Sequence, residues 1–216
     1  MIKKTAFAAA ALFSTLSAFA SGNLVTNGSF EDQAQGAGSW NIYSSINGWT
    51  ATTGGIEIRN AVAGAAQDGG NFVELDANFN SVMSQTIATV AGQAYKLSFW
   101  YSSRPVAPEN GAFTGNTVPA GSNGLSYNVG GGAVGVYAPT ADTDSFNDWT
   151  LYTTTFVAGA GPATTLTFSA TGLSDSYGTS LDNVTLTAVP EPSELSLLAA
   201  GLLVVAGLAR RRQNRG

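Results

Sequence analysis

Three carboxylates stand close together in this sequence: Glu57 in GIEIR, and Glu74 and Asp76 in NFVELDA. Two acidic side chains roughly 5 to 9.5 Å apart across a cleft are what glycoside hydrolysis requires, one as acid and one as base or nucleophile. On a strand Glu74 and Asp76 share a face. Charged residues on a solvent face explain the spacing equally well, and nothing in the sequence marks a cleft. Composition removes the other common chemistries. The chain has no histidine and no cysteine, which excludes Ser-His-Asp and Cys-His nucleophiles, histidine-based zinc sites and most imidazole acid–base catalysis. A non-catalytic role is therefore the first reading, with carboxylate-pair hydrolysis as the weakest alternative.

Sugar binding asks for different residues: an exposed aromatic face for the apolar side of a pyranose ring, with amides or charged groups nearby for its hydroxyls. Trp100 is the leading candidate, because it falls on the polar face of a strand whose other aromatics point inward. Trp40 and Tyr43, expected in the loop after a first strand, and Arg59, which follows GIEI, complete the set. Trp49 and Trp149 are expected as core aromatics.

The elements that must position these residues occupy the middle of a 216-residue chain. Residues 1–20 have the form of a secretory signal peptide: Lys3 and Lys4, an apolar stretch, then Ala18 and Ala20 ahead of a cleavage point at Ser21. The middle holds three basic residues against twelve acidic ones, a balance of −9. Nucleic acid is excluded as a partner, because clustered cations are absent. Neutral polymers or divalent cations suit such a surface better.

Residues 189–216 form a separate unit. Val189, Pro190, Glu191 and Pro192 precede an apolar run over 193–209, which is followed by Arg210, Arg211 and Arg212. As a helix the run reaches about 24 Å, the lower limit for crossing a hydrocarbon core of about 30 Å, and the arginines would face the cytoplasm. The tail resembles the PEP-CTERM sorting signal of exported bacterial proteins. That resemblance implies processing by a membrane exosortase, transient anchoring by a transmembrane helix, and delivery to the cell surface or medium.

Residues 21–188 show period-two patterns joined by Gly, Asn and Ser, with no amphipathic helix. In YKLSFWY, Tyr95, Leu97, Phe99 and Tyr101 point one way. TTLTFSA places Leu166 and Phe168 on one face, LYTTTFVA places Tyr152 and Phe156, and VTLTAV places Val184 and Leu186. Many short strands with frequent turns predict an all-β sandwich or jelly roll. Residues 102–123, rich in Pro, Gly and Asn, are expected as a long surface loop.

NLVTNGSFE near the start and GTSLDNVTLTAV at the end, with INGWTATTGGIEIRN, DGGNFVELDA and YKLSFWYSSRP between them, resemble galactose-binding-like jelly rolls, which include carbohydrate-binding modules. The resemblance implies a first strand pairing near the last. It also implies a structural calcium where they meet, held by Glu31 and Asp182 with help from Asn27 and Gly28. The expected function is a surface-sorted, non-catalytic module associating with extracellular polysaccharide. The alternative is a matrix or adhesion protein without a sugar site.

Overall fold

Alternation of apolar and polar residues becomes alternation of faces throughout the middle of this chain. The structure, a computed structural model, describes residues 22–105, 118–130, 133–137, 146–190 and 192–213. Among them are twelve strands: β1 (Ser39–Tyr43), β2 (Ser45–Ile46), β3 (Trp49–Thr53), β4 (Ile56–Asn60), β5 (Asn71–Glu74), β6 (Val82–Ala88), β7 (Ala94–Ser102), β8 (Leu125–Val129), β9 (Ala133–Tyr137), β10 (Thr150–Val157), β11 (Ala163–Ala170) and β12 (Ser180–Ala188). They form two antiparallel six-stranded sheets, in the orders β1-β4-β5-β12-β7-β10 and β2-β3-β6-β11-β8-β9. The architecture is the expected all-β sandwich.

The core lies between the sheets. Ile56, Ile58, Val73, Leu97, Phe99, Leu181, Val184 and Leu186 from the first sheet meet Trp49, Met83, Leu125, Leu166 and Phe168 from the second. Phe99 is its hinge point, edge-on to Phe168 at 5.0 Å between ring centroids. Tyr152 and Phe156 pack against this cluster, as their spacing predicts. Trp49 is buried as expected. Trp149 is not a core residue: it lies only half-buried, edge-on to Phe72, and its indole N–H donates to the Ala65 carbonyl.

Three expectations need correction. The NLVTNGSFE segment is a run of turns, not a strand. Asn27 and Phe30 take left-handed backbone conformations (φ 52° and 62°). The segment reaches β12 through two backbone bonds, Leu24 N–H to the Leu186 carbonyl and Val184 N–H to the Gly28 carbonyl, and through the Asn23 side-chain amide, which donates to the Val184 carbonyl and accepts from Leu186 N–H. Gly28 is required by that approach, since a Cβ there would lie 2.1 Å from the Val184 oxygen. Trp40 and Tyr43 lie on strand β1, not in a loop. The third correction concerns the tail. It does form a helix, α1 (Pro192–Gln213), but among the described residues no helix is long and apolar enough to cross a membrane. The apolar run is short, and Glu194 and the arginines lie inside the same helix.

The signal-peptide residues, including Ala18, Ala20 and Ser21, lie outside the described residues, as do Glu191 and residues 106–117 of the expected long loop.

Candidate functional site

Strand β4 sends Ile56 and Ile58 into the core and therefore turns Glu57 and Arg59 to the opposite face of its sheet. Its neighbour β5 turns Phe72 and Glu74 the same way, with Glu57 paired to Glu74 and Arg59 to Phe72. This outer face is not open to water. Arg104, residues 175–178 and Val62 close over its carboxylates, Trp149 meets Phe72, and Glu57, Arg59, Phe72 and Glu74 are all buried.

Burying Glu57, Arg59 and Glu74 there requires pairing, and the pairing is close. Arg59 Nε donates to Glu57 Oε1 at 2.6 Å. Arg59 Nη1 lies 2.7 Å from Glu74 Oε2, an ion contact off the line of a hydrogen bond. Arg104 Nη1 lies 2.8 Å from both oxygens of Glu74, and Gly178 N–H donates to Glu74 Oε1. Arg104 is itself held by its N–H to Asn123 Oδ1, and its guanidinium lies 4.7 Å from the centre of the Tyr177 ring. Burial pushes Glu57 up to about 7, against the pull of Arg59 and with a smaller push from Glu74. Burial also lowers Arg104, against the pull of Glu74.

Above this floor is a pit of about 260 Å³ lined by Trp40, Glu57, Arg59, Val62, Ala77, Asn78, Arg104, Asp175, Ser176 and Tyr177. Its wall residues come from β1, the β4–β5 loop, the β5–β6 turn, the chain after β7 and the β11–β12 loop. Trp40 stands at the rim, 45% exposed. Six non-glycine residues among those described have positive φ, and three of them shape this wall: Ala61 (50°) and Ala63 (51°) flank Val62, and Ser176 (66°) precedes Tyr177. Such conformations cost about 1–3 kcal/mol each and collect at ligand sites. Asp76, fully buried, braces the same wall: Asp175 and Ser176 N–H donate to its Oδ2 at 2.8 and 2.9 Å.

The structure thus joins two of the four predicted sugar contacts, Trp40 and Arg59, and separates the others. Trp100 is half-buried in mid-sheet between Asp182 and Leu151 on the neighbouring strands. Tyr43 packs its ring against the core. The hydrolytic alternative is corrected as well. Glu74 and Asp76 have no exposed surface; the Glu74 oxygens hold arginines and a backbone amide, and Asp76 Oδ2 holds backbone amides. Among the pit residues not foreseen are Arg104 and Tyr177. Scarcity was the available signal, since the acidic middle has only three cations and any buried carboxylate must draw on them.

Glu31 and Asp182 meet around a single loop. Gly70 and Asn71 N–H donate to Glu31 Oε1 at 2.9 and 2.7 Å, while Gln67 and Asp68 N–H donate to Asp182 Oδ2 at 2.8 and 2.9 Å. A bulge between Asp182 and Thr185, with Asn183 at φ 47°, turns Asp182 outward while keeping Leu181 and Val184 in the core. The carbonyls of Asn27 and Gly28 are already engaged, by the Trp49 indole and by Val184 N–H. Burial pushes Asp182 up to about 7. Among the described residues no group of three or more acidic side chains gathers here.

No protein-family model matches the chain. Over 179 residues, 79% of the chain, it is 30% identical to halomucin of Haloquadratum walsbyi, and it spans 2% of that protein's length. Among solved structures it resembles an arabinose-bound α-L-arabinofuranosidase, with a TM-score of 0.51 and 10% identity, covering 77% of this chain and 26% of that one. It also matches a family 61 carbohydrate-binding module in complex with β-1,4-galactotriose, at a TM-score of 0.46 and 17% identity over 78% of this chain and all of that one. At these identities the likeness is one of fold: a jelly-roll β-sandwich.

Proposed function

We propose that this protein is a non-catalytic carbohydrate-binding module and that its sugar site is the Trp40 pit. One observation carries the reading: an exposed indole stands over a floor of buried, mutually paired carboxylates and guanidinium groups. That combination offers an apolar face to a sugar ring and rigid donors and acceptors to its hydroxyls. Pairing keeps the floor groups from moving when a ligand arrives, so little ordering cost is added on binding. A coat protein without a sugar site would leave the strained wall and the exposed indole without a purpose. Affinity electrophoresis or a glycan array with the wild type and Trp40→Ala tests the proposal. Binding lost in the variant with unchanged melting supports it, and equal binding by both would reject the pit. Release of reducing ends from the bound glycan would reject the non-catalytic reading.

The same proposal places the module outside the cell. Its support is the basic, apolar N-terminal segment and the bare helix α1, where Leu197, Leu198, Leu202, Leu203, Val204, Val205 and Leu208 are all exposed. The Val189–Pro192 segment and Arg210–Arg212 would then serve as the sorting signal read by an exosortase at the membrane. Mass spectrometry of the mature C-terminus, with cell fractionation, tests this.

Calcium at the Glu31–Asp182 junction belongs to the proposal too. Asp182 is fully buried and has no cationic side chain among its described partners, and buried carboxylates of that kind are usually paired or bound to metal. Glu31 and Asp182 would hold the ion; bound there, calcium would tie the chain's entry segment to its last strand.

A further inference from the structure

Resting on the sugar-site reading, we infer that the pit accepts only the terminal, uncharged unit of a glycan chain, and excludes internal segments and acidic sugars. The shape argues for the chain end. A groove that reads the middle of a polymer is walled on two sides and open at both ends. Here five separate segments supply lining residues around one floor. The volume of about 260 Å³ lies below the roughly 300 Å³ at which sites for drug-sized molecules begin, so a single ring and part of its neighbour fill it. Val62, fixed between two left-handed alanines, and Tyr177, held beside Arg104, are not free to swing aside for a longer segment.

Charge argues for a neutral ligand. Arg59 and Arg104 are the cations of the pit, and both are taken by Glu57 and Glu74 at 2.6 to 2.8 Å. A ligand carboxylate would find no unbalanced cation there, because each guanidinium is already countered by a glutamate and the surrounding carboxylates outnumber the two arginines. It would also approach Asp175 on the wall, with Asp76 directly behind that residue. Hydroxyls face neither obstacle. They accept from guanidinium N–H groups and donate to carboxylates without displacing either. Selection against acidic sugars is thus built in as an unpaired charge, which discriminates more sharply than one fewer contact would.

The test is calorimetric titration of the full chain with neutral gluco-, galacto-, xylo- and manno-oligosaccharides of three and six units. A matched set carries a uronic acid as the terminal unit. For whichever neutral series binds, affinity should change less than about threefold from three to six units, while the acid-terminated counterpart binds at least about tenfold more weakly. Tyr177→Ala and Trp40→Ala should each weaken the neutral ligand by about tenfold or more at unchanged melting temperature. An affinity that climbs tenfold with length overturns the chain-end assignment, and equal binding of the acid-terminated sugar overturns the neutral one. Binding that depends on Trp40 but fails these criteria leaves the sugar site standing and rejects this inference alone. No binding in any arm rejects both.

Discussion

Glu57 on β4 and Glu74 on β5 are direct cross-strand partners, both buried, with Arg59 in contact with each of them. Like charges placed directly opposite each other normally weaken a sheet. Here the pair holds because two guanidinium groups from different parts of the chain converge on it. The arrangement ties β4, β5 and the segment after β7 into one unit. It also makes the pit floor dependent on every member.

Removing one member should therefore cost far more than an ordinary surface mutation. Arg104→Ala leaves Glu74 without one of its two cations in a site it cannot leave, and a loss of about 3–5 kcal/mol is expected. Chemical denaturation of wild type and variant measures it. Glu74→Ala and Arg104→Ala combined should cost less than the sum of the two single variants, because the orphaned charge disappears with its partner.

The Glu57 carboxyl gives stability a pH slope of definite sign. Its ordinary value is 4.5, and in the folded protein it is pushed up to about 7 by burial, with Glu74 adding to the push while Arg59 and Arg104 oppose it. Between those values the folded state keeps a proton that the unfolded chain has released. Stability from this group is thus greatest below about pH 4.5, falls as pH rises to about 7, and changes no further above it; the total is on the order of 3 kcal/mol. Unfolding free energies measured from pH 4.5 to 8 should show the decline, to which Asp182, also pushed up to about 7 by burial, adds a share of the same sign, and Glu57→Gln should make the slope shallower. A slope unchanged in that variant would assign the effect elsewhere.

Trp40 and Trp100 should separate cleanly. Trp40 is 45% exposed at the pit rim, so its replacement by alanine should move stability by no more than about 0.5 kcal/mol while abolishing sugar retention. Trp100→Ala should do the reverse: measurable destabilisation, since its half-buried ring packs in mid-sheet, with retention on an affinity gel unaltered.

Calcium should raise the melting temperature by several degrees over EDTA if Asp182 is stabilised by an ion. Asp182→Asn should remove the difference. Identical melting in both conditions would mean that the amides of residues 67–71 suffice for this carboxylate.

Much of the fold could be read from alternation alone. The inward sets of β7 and β11 follow period two, as does β12 beyond its bulge, and burial follows the same period. The entry segment was less legible, because NLVTNGSFE has strand-like composition but left-handed turns at Asn27 and Phe30, set by contacts with β12 at the far end of the chain. The site was half legible. Trp40 was captured as an exposed aromatic although it was expected in a loop and lies on β1. Trp100 misled because the β4–β5 loop passes beside it, with Gln67 and Asp68 donating to its cross-strand neighbour Asp182, and a loop's path along a sheet leaves no periodic trace. Glu57 and Glu74 were noticed as neighbouring carboxylates, but the shared face was read for Glu74 and Asp76, and Glu74's partner Arg104 comes from 30 residues further along the chain. No local spacing announces such a pairing.

Strand β12 begins at Ser180, level with Glu74 at the pit floor, and ends at Ala188, just ahead of the tail. Eight residue steps at about 3.3 Å each set those two points about 26 Å apart. A module tethered through its tail would therefore carry its pit on the flank of the sandwich, toward the end remote from the point of attachment.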